Sequence, residues 1–149
     1  DIWAYGGDNV IDAGDGDDIV ETGDGDDILT GGLGQDILIG GEGRDVFIYR
    51  SADESGVGAA LLDVIEDFDA GGAGTSVDIL DFSGFVTGVF AFLGDETNVF
   101  DGGGNTQARF NDQTKILEID ADGDAQVDME IELTDTDGAA LDDSDFNVT

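Results

Sequence analysis

Cysteine and histidine are both absent from this 149-residue chain. Without cysteine the chain forms no disulfide and offers no thiolate to a metal. Without histidine it lacks the imidazole of a Ser-His-Asp triad, of an HExxH zinc site and of a two-histidine iron site. The remaining metal ligands are oxygen atoms of carboxylates, carbonyls and amides, and these hard donors suit calcium far better than zinc or copper.

Basic residues are scarce as well: four Lys and Arg stand against 37 Asp and Glu, a formal net charge of -33 at pH 7. Such a charge repels nucleic acid and anionic membrane surfaces and opposes compaction. Yet Ile, Leu, Val and Phe together supply 42 residues, above the roughly 20% below which disorder is expected. We therefore expect no nucleic-acid partner, and a folded core if cations neutralise the charge.

Long apolar runs are also missing. No segment approaches the ~18 apolar residues of a membrane-spanning helix, and no amino-terminal segment resembles a cleavable signal. The chain does not begin with Met. We expect a fragment or processed module of one domain or two small ones, without membrane insertion.

A nine-residue repeat occupies residues 4–48. Its five consecutive units are AYGGDNVID, AGDGDDIVE, TGDGDDILT, GGLGQDILI and GGEGRDVFI. The fourth position is always Gly, and the sixth is Asp in every unit but the first, which has Asn9. The eighth position is always a large apolar residue: Ile11, Val20, Leu29, Leu38 or Phe47. This period indicates stacked repeats, because a flexible Gly-Asp linker places no apolar residue at every ninth position.

The residue types of one unit predict its local structure. Six Gly-rich residues form a turn, and three residues form a short strand with one apolar side chain pointing inward. Two units make one coil, and stacked coils about 4.8 Å apart bring each turn against the turn two units later. Oxygen atoms of two turns would then converge on one cation. Asp15, Asp17 and Asp26 occupy variable positions, and we expect them on a solvated face.

The units resemble GGxGxDxUx, the calcium-binding nonapeptide of RTX parallel β-rolls. The resemblance implies that each turn supplies its second and fourth carbonyls and its sixth side chain, while the turn two units later supplies its first and third carbonyls and its sixth side chain. Three calcium sites result: Tyr5, Gly7 and Asn9 with Thr22, Asp24 and Asp27; Gly14, Gly16 and Asp18 with Gly31, Leu33 and Asp36; and Gly23, Gly25 and Asp27 with Gly40, Glu42 and Asp45. Because Tyr5 and Asn9 depart from the pattern, we expect the first site to be weak or to depend on upstream repeats.

The segment after the repeats, YRSADESGVGAALLDVIEDFDAGG, resembles the one that closes the roll in the carboxy-terminal domain of serralysin-type metalloproteases. VDILDFSGF, DADGDAQVD and the final DDSDFNVT have counterparts there, and residues 69–78 resemble an insertion. The resemblance implies a fourth calcium site, in which Gly32, Gly34 and Asp36 join Glu54 and Asp63. An ordinary acidic turn is the alternative.

Further strands are predicted beyond residue 69. Met129, Ile131 and Leu133 continue an alternation that begins at Val127, the pattern of a half-buried strand. Residues 115–120 predict a strand before it, and residues 85–93 and 106–110 predict two more around a Gly-rich turn. We expect phenylalanines to form the core of this region, a ligand-binding groove being the alternative: Phe82, Phe85, Phe90, Phe92, Phe100 and Phe110.

Four aspartates occupy the first, third, fifth and ninth positions of a loop between two of these strands: Asp120, Asp122, Asp124 and Asp128. The spacing resembles that of an EF-hand. Ala125 stands where the EF-hand loop needs Gly, and Glu132 comes one position after the place of the bidentate Glu. The loop is therefore compatible with a solvated hairpin as well as with a metal site.

The whole chain is thus predicted to be all-β: a right-handed parallel β-roll of nonapeptide repeats over residues 1–68, capped by an antiparallel β-sandwich-like region over residues 69–149. The resemblance implies a non-catalytic module, secreted by the type I machinery, that binds about three to five calcium ions and stabilises a larger extracellular bacterial protein. Its upstream domain would be a serralysin-like protease, a polysaccharide-modifying enzyme such as a mannuronan epimerase, whose R-modules carry similar rolls, or an adhesin. The family's uncleaved secretion signal corresponds here to Asp145, Phe146, Asn147 and Val148.

Two other functions remain open at this stage. A calcium-dependent polysaccharide-binding module would bind an anionic polymer through bridging calcium or through the basic residues Arg44, Arg50, Arg109 and Lys115. A glycosidase would use two of the carboxylates, but acidic pairs occur throughout this chain by composition alone.

Overall fold

The computed structural model describes residues 1–71, 77–134, 136 and 140–149. These residues form two short 3-10 helices, Ala52–Glu54 and Asp143–Asp145, and thirteen strands. The strands are β1 (Ile2–Trp3), β2 (Val10–Asp15), β3 (Ile19–Asp24), β4 (Ile28–Leu33), β5 (Ile37–Glu42), β6 (Val46–Ile48), β7 (Asp63–Ile65), β8 (Ile79–Asp81), β9 (Ala91–Asp95), β10 (Gln107–Asn111), β11 (Ile116–Asp120), β12 (Met129–Leu133) and β13 (Phe146–Asn147). The described part contains no helix with the length and apolar character needed to span a bilayer.

Successive strands of the repeats alternate between two sheets. One sheet has eight strands in the order β1-β3-β5-β7-β12-β11-β10-β9, and the other has five in the order β13-β8-β6-β4-β2. Paired strands of the repeats are parallel and eighteen residues apart, as Val20 and Leu38 show. This register confirms the predicted parallel β-roll with two units per coil.

The core between the sheets is built from the eighth position of each unit. Val20, Leu29 and Phe47 are fully buried and Leu38 nearly so, because the alternation of side chains in a short strand turns one of them inward. Ile11 packs against this cluster but is only half-buried, since its strand β2 lies at the edge of its sheet.

Glycine at the second position of a unit lets the turns stack closely. Gly32 has a φ of +105°, and a Cβ on this residue would lie 1.9 Å from the carbonyl oxygen of Gly14 in the turn below. The left-handed backbone and the close approach both disfavour a larger residue here.

Residues beyond the repeats extend both sheets. β7 pairs with β5 and β12, and β8 pairs with β6 and β13. The strands β10, β11 and β12 are antiparallel as predicted, whereas the pairings of β9 with β10 and of β12 with β7 are parallel. The sheets therefore run across residue 68, and the division into residues 1–68 and 69–149 stays a prediction.

The predicted strand over residues 85–93 is wrong in its first part. β9 begins only at Ala91. Phe85 and Val86 both donate their N–H groups to the carbonyl of Phe82, at 3.1 and 3.2 Å. These local hydrogen bonds form a turn that places the aromatic rings against the core instead of alternating them across a strand.

Aromatic rings pack together in this part of the core, as predicted. The centroid of the buried Phe82 ring lies 5.4 Å from that of Phe85 and 6.0 Å from that of Phe146. Phe146 also lies 5.1 Å from both Phe90 and Phe92. Strand β13 thereby joins the end of the chain to the core. The six phenylalanines of the predicted set are buried or half-buried: Phe82, Phe85, Phe90, Phe92, Phe100 and Phe110.

Candidate metal centre

Hydrogen bonds between stacked turns connect residues, all acidic except Asn9, into two ladders, and each of these hydrogen bonds is one rung. In each rung, a side-chain Oδ1 accepts the main-chain N–H of the ladder residue one coil earlier, over 2.7–2.9 Å. The first ladder consists of Asn9, Asp27, Asp45 and Asp78, and the second of Asp18, Asp36 and Asp63. All sixth-position residues of the repeats therefore lie in one ladder or the other.

The second oxygen of most ladder carboxylates is buried without a hydrogen-bond partner among the described residues. These Oδ2 atoms belong to Asp27, Asp36, Asp45 and Asp63. The hydroxyl of the buried Tyr49 lies beside Asp63 and is the one side-chain donor that acts on this carboxylate among the described residues. The Oδ2 atoms of Asp36 and Asp45 point back toward the first position of their own turn, because a Cβ on Gly31 would lie 2.3 Å from Oδ2 of Asp36, and one on Gly40 equally close to Oδ2 of Asp45. A buried carboxylate oxygen without a donor or counter-ion is strongly unfavourable. The arrangement therefore fits a bound cation.

Burial raises the pKa of several ladder carboxylates. Loss of hydration brings the pKa of Asp45 to about 6 and those of Asp63 and Asp78 to about 7, and it also raises the pKa of Asp36. Neighbouring negative charges act in the same direction, while hydrogen bonds from main-chain N–H groups partly oppose them. Near neutral pH a proton and a cation therefore compete for the same oxygens, and cation binding releases protons.

The second and third predicted calcium sites each combine turns that the structure brings together. The N–H of Gly16 donates to the carbonyl of Leu33 at 2.6 Å, and that of Gly25 to the carbonyl of Glu42 at 2.9 Å. A carbonyl has two lone pairs, so Leu33 and Glu42 could each bind a cation as well. Calcium takes about six to eight oxygen ligands in flexible geometry, and two turns of carbonyls and carboxylates fit that requirement. The assignment of individual ligands stays a prediction.

Asn9 distinguishes the first predicted site from the others. Its Nδ2 donates to the carbonyl of Gly7 and, at 3.2 Å, to Oδ1 of Asp27. Both groups are among the calcium ligands that the resemblance to RTX repeats implies for the first site. An amide N–H carries partial positive charge, so Asn9 supplies at this end of the ladder part of the attraction that an ion would supply.

The fourth predicted site gathers three acidic side chains at the end of the second ladder. Asp63 is fully buried, and its Oδ1 accepts the N–H of Asp36 at 2.8 Å. Glu54 is also buried, its Oε2 accepts the N–H of Arg50 at 2.9 Å, and its charge adds to burial in raising the pKa of both Asp36 and Asp63. Because the neighbouring Asp53 is exposed, the structure places Glu54 and not Asp53 with the ladder.

Two acidic residues near the carboxyl end of the first ladder were not predicted as site residues from the sequence. Oδ1 of Asp78 accepts the N–H of Asp45 at 2.8 Å, and the carboxylate of Asp67 accepts two main-chain N–H groups of the fifth unit at 3.0 and 2.7 Å. A signal for Asp78 was present, because the letters DIL at 78–80 repeat the sixth to eighth positions of a unit. The insertion-like segment before them breaks the nine-residue period and hides it.

The acidic hairpin loop is closed largely by its own hydrogen bonds. Carboxylate oxygens of Asp120, Asp122 and Asp124 lie within 4.8 Å of one another, but the buried Asp120 already accepts three main-chain N–H groups at 2.7–3.1 Å. Asp128 does not belong to this group, and its Oδ2 accepts the N–H groups of residues 121 and 122. Ala125 adopts a φ of +74° at the position where the EF-hand has Gly. These contacts favour the hairpin alternative over a metal site with four aspartates.

The exposed aspartates of the turns lie on the solvated face, as predicted for Asp15, Asp17 and Asp26. Oδ1 of Asp17 accepts the N–H of Gln35 at 3.0 Å, and Oδ1 of Asp26 accepts that of Arg44, also at 3.0 Å. An outer, solvent-exposed row of rungs thus runs beside the buried ladders. The same hydrogen bond therefore occurs in two settings, one hydrated and one buried.

Basic side chains are mostly engaged in ion pairs. Among the described residues, basic side chains form three such pairs: Arg50 with Asp12, Arg109 with Glu118, and Lys115 with Asp112. The guanidinium of Arg109 also lies 4.6 Å above the ring of Phe100. In the described part of the chain there is consequently no cluster of unpaired cations for an anionic polysaccharide.

Comparisons with known proteins agree with this architecture. The solution structure of the AlgE6R2 subunit from the Azotobacter vinelandii mannuronan C5-epimerase matches with a TM-score of 0.55 and 24% sequence identity, over 97% of this chain and 91% of that one, which shows a similar fold. A search of curated proteins found no match. The family model described as peptidase M10 serralysin C terminal matches residues 6–148. Since that match includes both ladders and nearly the whole of the carboxy-terminal region, the chain belongs to the serralysin C-terminal family, an RTX-type calcium-binding module of secreted proteins.

Proposed function

We propose that this chain is a non-catalytic folding module that remains unfolded until it has passed through a type I secretion channel and then folds on binding calcium. The observation that supports this proposal is the row of buried Oδ2 atoms on Asp27, Asp36, Asp45 and Asp63. A fold that buries ionised carboxylate oxygens without donors is favourable only when a cation accompanies them, and otherwise the carboxylates must take up protons.

The electrostatics of the ladders would make folding depend on calcium. The chain has a net charge of -33, and the ladders bring carboxylates such as Asp36, Glu54 and Asp63 together at low exposure. At cytosolic calcium concentrations this repulsion keeps the repeats open and able to pass through a channel. Calcium outside the cell binds only the folded turns and shifts the equilibrium toward them.

The position of the expected secretion signal is consistent with export before folding. Phe146 is buried among aromatic rings, and the carbonyl of Asn147 accepts the N–H of Phe82 at 2.8 Å. The secretion machinery could contact such residues only before the roll has formed. The folded module would then stabilise an upstream domain of the same polypeptide, a serralysin-like protease or a polysaccharide-modifying enzyme.

Circular dichroism during a calcium titration tests the proposal. In excess chelator at pH 8 the chain should show little β structure, and calcium should restore it cooperatively. Magnesium is the matched control, because its small octahedral shell and strongly held water suit a carbonyl-rich cage poorly. A folded spectrum in chelator, identical to that in calcium, would reject the proposed function.

A further inference from the structure

The carboxyl-terminal turn carries a buried carboxylate outside the two ladders. The 3-10 helix Asp143–Asp145 leads directly into β13, which pairs with β8 through Phe146 and Leu80. β8 in turn begins just after Asp78, the last member of the first ladder. The turn therefore lies one layer beyond the end of that ladder.

Asp145 shows the same feature as the ladder carboxylates. Its side chain is 1% exposed, and its Oδ2 accepts the N–H of Asp142 at 2.7 Å. Its Oδ1 is buried and has no hydrogen-bond partner among the described residues. One oxygen of the carboxylate is thus held by the main chain, and the other has lost water without gaining a donor.

Two acidic residues act electrostatically on this carboxylate, and one of them, Asp69, also accepts the N–H of Gly71 at its Oδ1 over 2.8 Å. The charges of Asp142 and Asp69 both act on Asp145, and Asp69 is fixed to the ladder because its N–H donates to Oδ2 of Asp78 at 2.9 Å. No basic side chain forms an ion pair with Asp145 in the described part of the chain. The compensating positive charge must therefore be a proton or a metal ion.

We propose that Asp145 and Asp69 hold a further divalent cation, calcium by its preference for carboxylate oxygen, beyond the end of the first ladder. The half-buried Asp69 and the exposed Asp142 leave room for water to complete the coordination shell. This ion would fasten β13 to the roll, so that the end of the chain docks only in calcium. The site is separate from the ladder sites that carry the proposed function.

Counting bound ions tests the site. Equilibrium dialysis against calcium, with bound metal measured by atomic absorption, should give one ion fewer per chain for Asp145→Asn than for the unsubstituted protein. Asp143→Asn is the matched control, because Asp143 is an exposed carboxylate in the same turn, and it should leave the count unchanged. Asp69→Asn should also lose one ion, and the Asp69→Asn, Asp145→Asn double variant should lose no more than one.

A second measurement follows the docking of β13. The N–H of Phe82 donates to the carbonyl of Asn147, so its hydrogen exchange in calcium should become faster in Asp145→Asn and stay unchanged in Asp143→Asn. If Asp145→Asn does not fold, the ion count of Asp69→Asn decides. An unchanged count in the folded variants would show that Asp145 is held as a neutral acid and would overturn the site, while calcium-induced folding of the unsubstituted chain would still support the proposed function.

Discussion

The main-chain N–H of Asp36 donates to Oδ1 of Asp63 at 2.8 Å. The two residues are 27 positions apart instead of eighteen, because a loop joins β6 to β7. Asp36 in turn accepts the N–H of Asp18 at 2.8 Å. Asp36 is therefore an interior member of its ladder, with an acidic residue in the layer on each side. Asp18 is the ladder's first member and has such a neighbour on one side only.

Replacing Asp36 by Ala should weaken calcium binding more than replacing Asp18. The Asp36→Ala change removes a buried carboxylate that faces two layers, whereas Asp18 is half-buried at the end of the ladder. We expect Asp36→Ala to raise the calcium midpoint by roughly tenfold or more, the equivalent of about 1.4 kcal/mol, and to lower the cooperativity. A calcium titration followed by circular dichroism measures both.

The control for this series is Asp17→Ala. Asp17 forms the same kind of rung, to the N–H of Gln35, but it is exposed. Its loss should change the midpoint little, because water replaces an exposed acceptor at small cost. Equal midpoints and slopes for all three variants would contradict the assignment of Asp36 to both the second and the fourth predicted site.

Replacing Asn9 by Asp should add one calcium ion per chain. The Asn9 amide donates to two of the oxygens assigned to the first site, and a carboxylate would replace that donor by a ligand. Gln35→Asp is the control, since it adds the same charge at the fifth position of a unit, outside both ladders. Isothermal titration calorimetry should show a higher ion count for Asn9→Asp alone, and an unchanged count would show that the amide does not take the place of an ion.

Without calcium, the folded state should become less stable as the pH rises. Burial raises the pKa of Asp45 to about 6 and those of Asp63 and Asp78 to about 7, above the ordinary 3.8. Between these values the folded chain binds more protons than the unfolded chain, so stability is lost as the pH rises from about 4 to about 7. Circular dichroism in chelator should therefore show more β structure at pH 5 than at pH 8.

Calcium affinity should follow the opposite trend. Protons and calcium compete for the ladder oxygens, so the calcium midpoint should fall as the pH rises through 6 and 7. Asp78→Asn removes one of the groups with a raised pKa and should flatten the dependence measured in chelator. A folded fraction in chelator that is independent of pH would contradict this account.

Replacing Gly32 by Ala should disrupt the stacking of the coils. A Cβ at this residue would meet the carbonyl oxygen of Gly14 at 1.9 Å, and the φ of +105° adds strain. Gly58→Ala separates the two effects, because Gly58 has a similar φ of +97° but nothing within 4 Å of the added atom. Urea unfolding in saturating calcium should show a loss of about 1–2 kcal/mol for the control and a clearly larger loss for Gly32→Ala.

The structure of the repeats could be predicted in detail because each nine-residue unit carries the residues that determine its own turn and strand. A fixed period places Val20 and Leu38 at equivalent positions, and stacking follows from that equivalence. The alternation around Met129 and Ile131 likewise predicted a strand with a buried face, and both residues are fully buried.

The carboxy-terminal pairings could not be predicted in the same way. β12 lies beside β7, where Ile131 is in register with Asp63, and nothing in either segment indicates the other. Such pairings bury the apolar surface that remains exposed once the repeats have formed their sheets, and the extent of that surface depends on the whole fold. The strand predicted from Phe85 failed for a related reason, because packing of its ring on Phe82 outweighed the local strand preference.

Each rung of the ladders has a direction along the chain. The donor is always the earlier residue and the acceptor the later one, from Asn9 with Asp27 to Asp45 with Asp78. The two ends of the roll are consequently not equivalent to truncation. Shortening from the amino end leaves carboxylates that water can hydrate, whereas shortening from the carboxyl end leaves the main-chain N–H groups of the new last layer without their carboxylate acceptors. We therefore expect the folded state to tolerate removal of one coil at a time from the amino end and to lose stability on truncation from the carboxyl end.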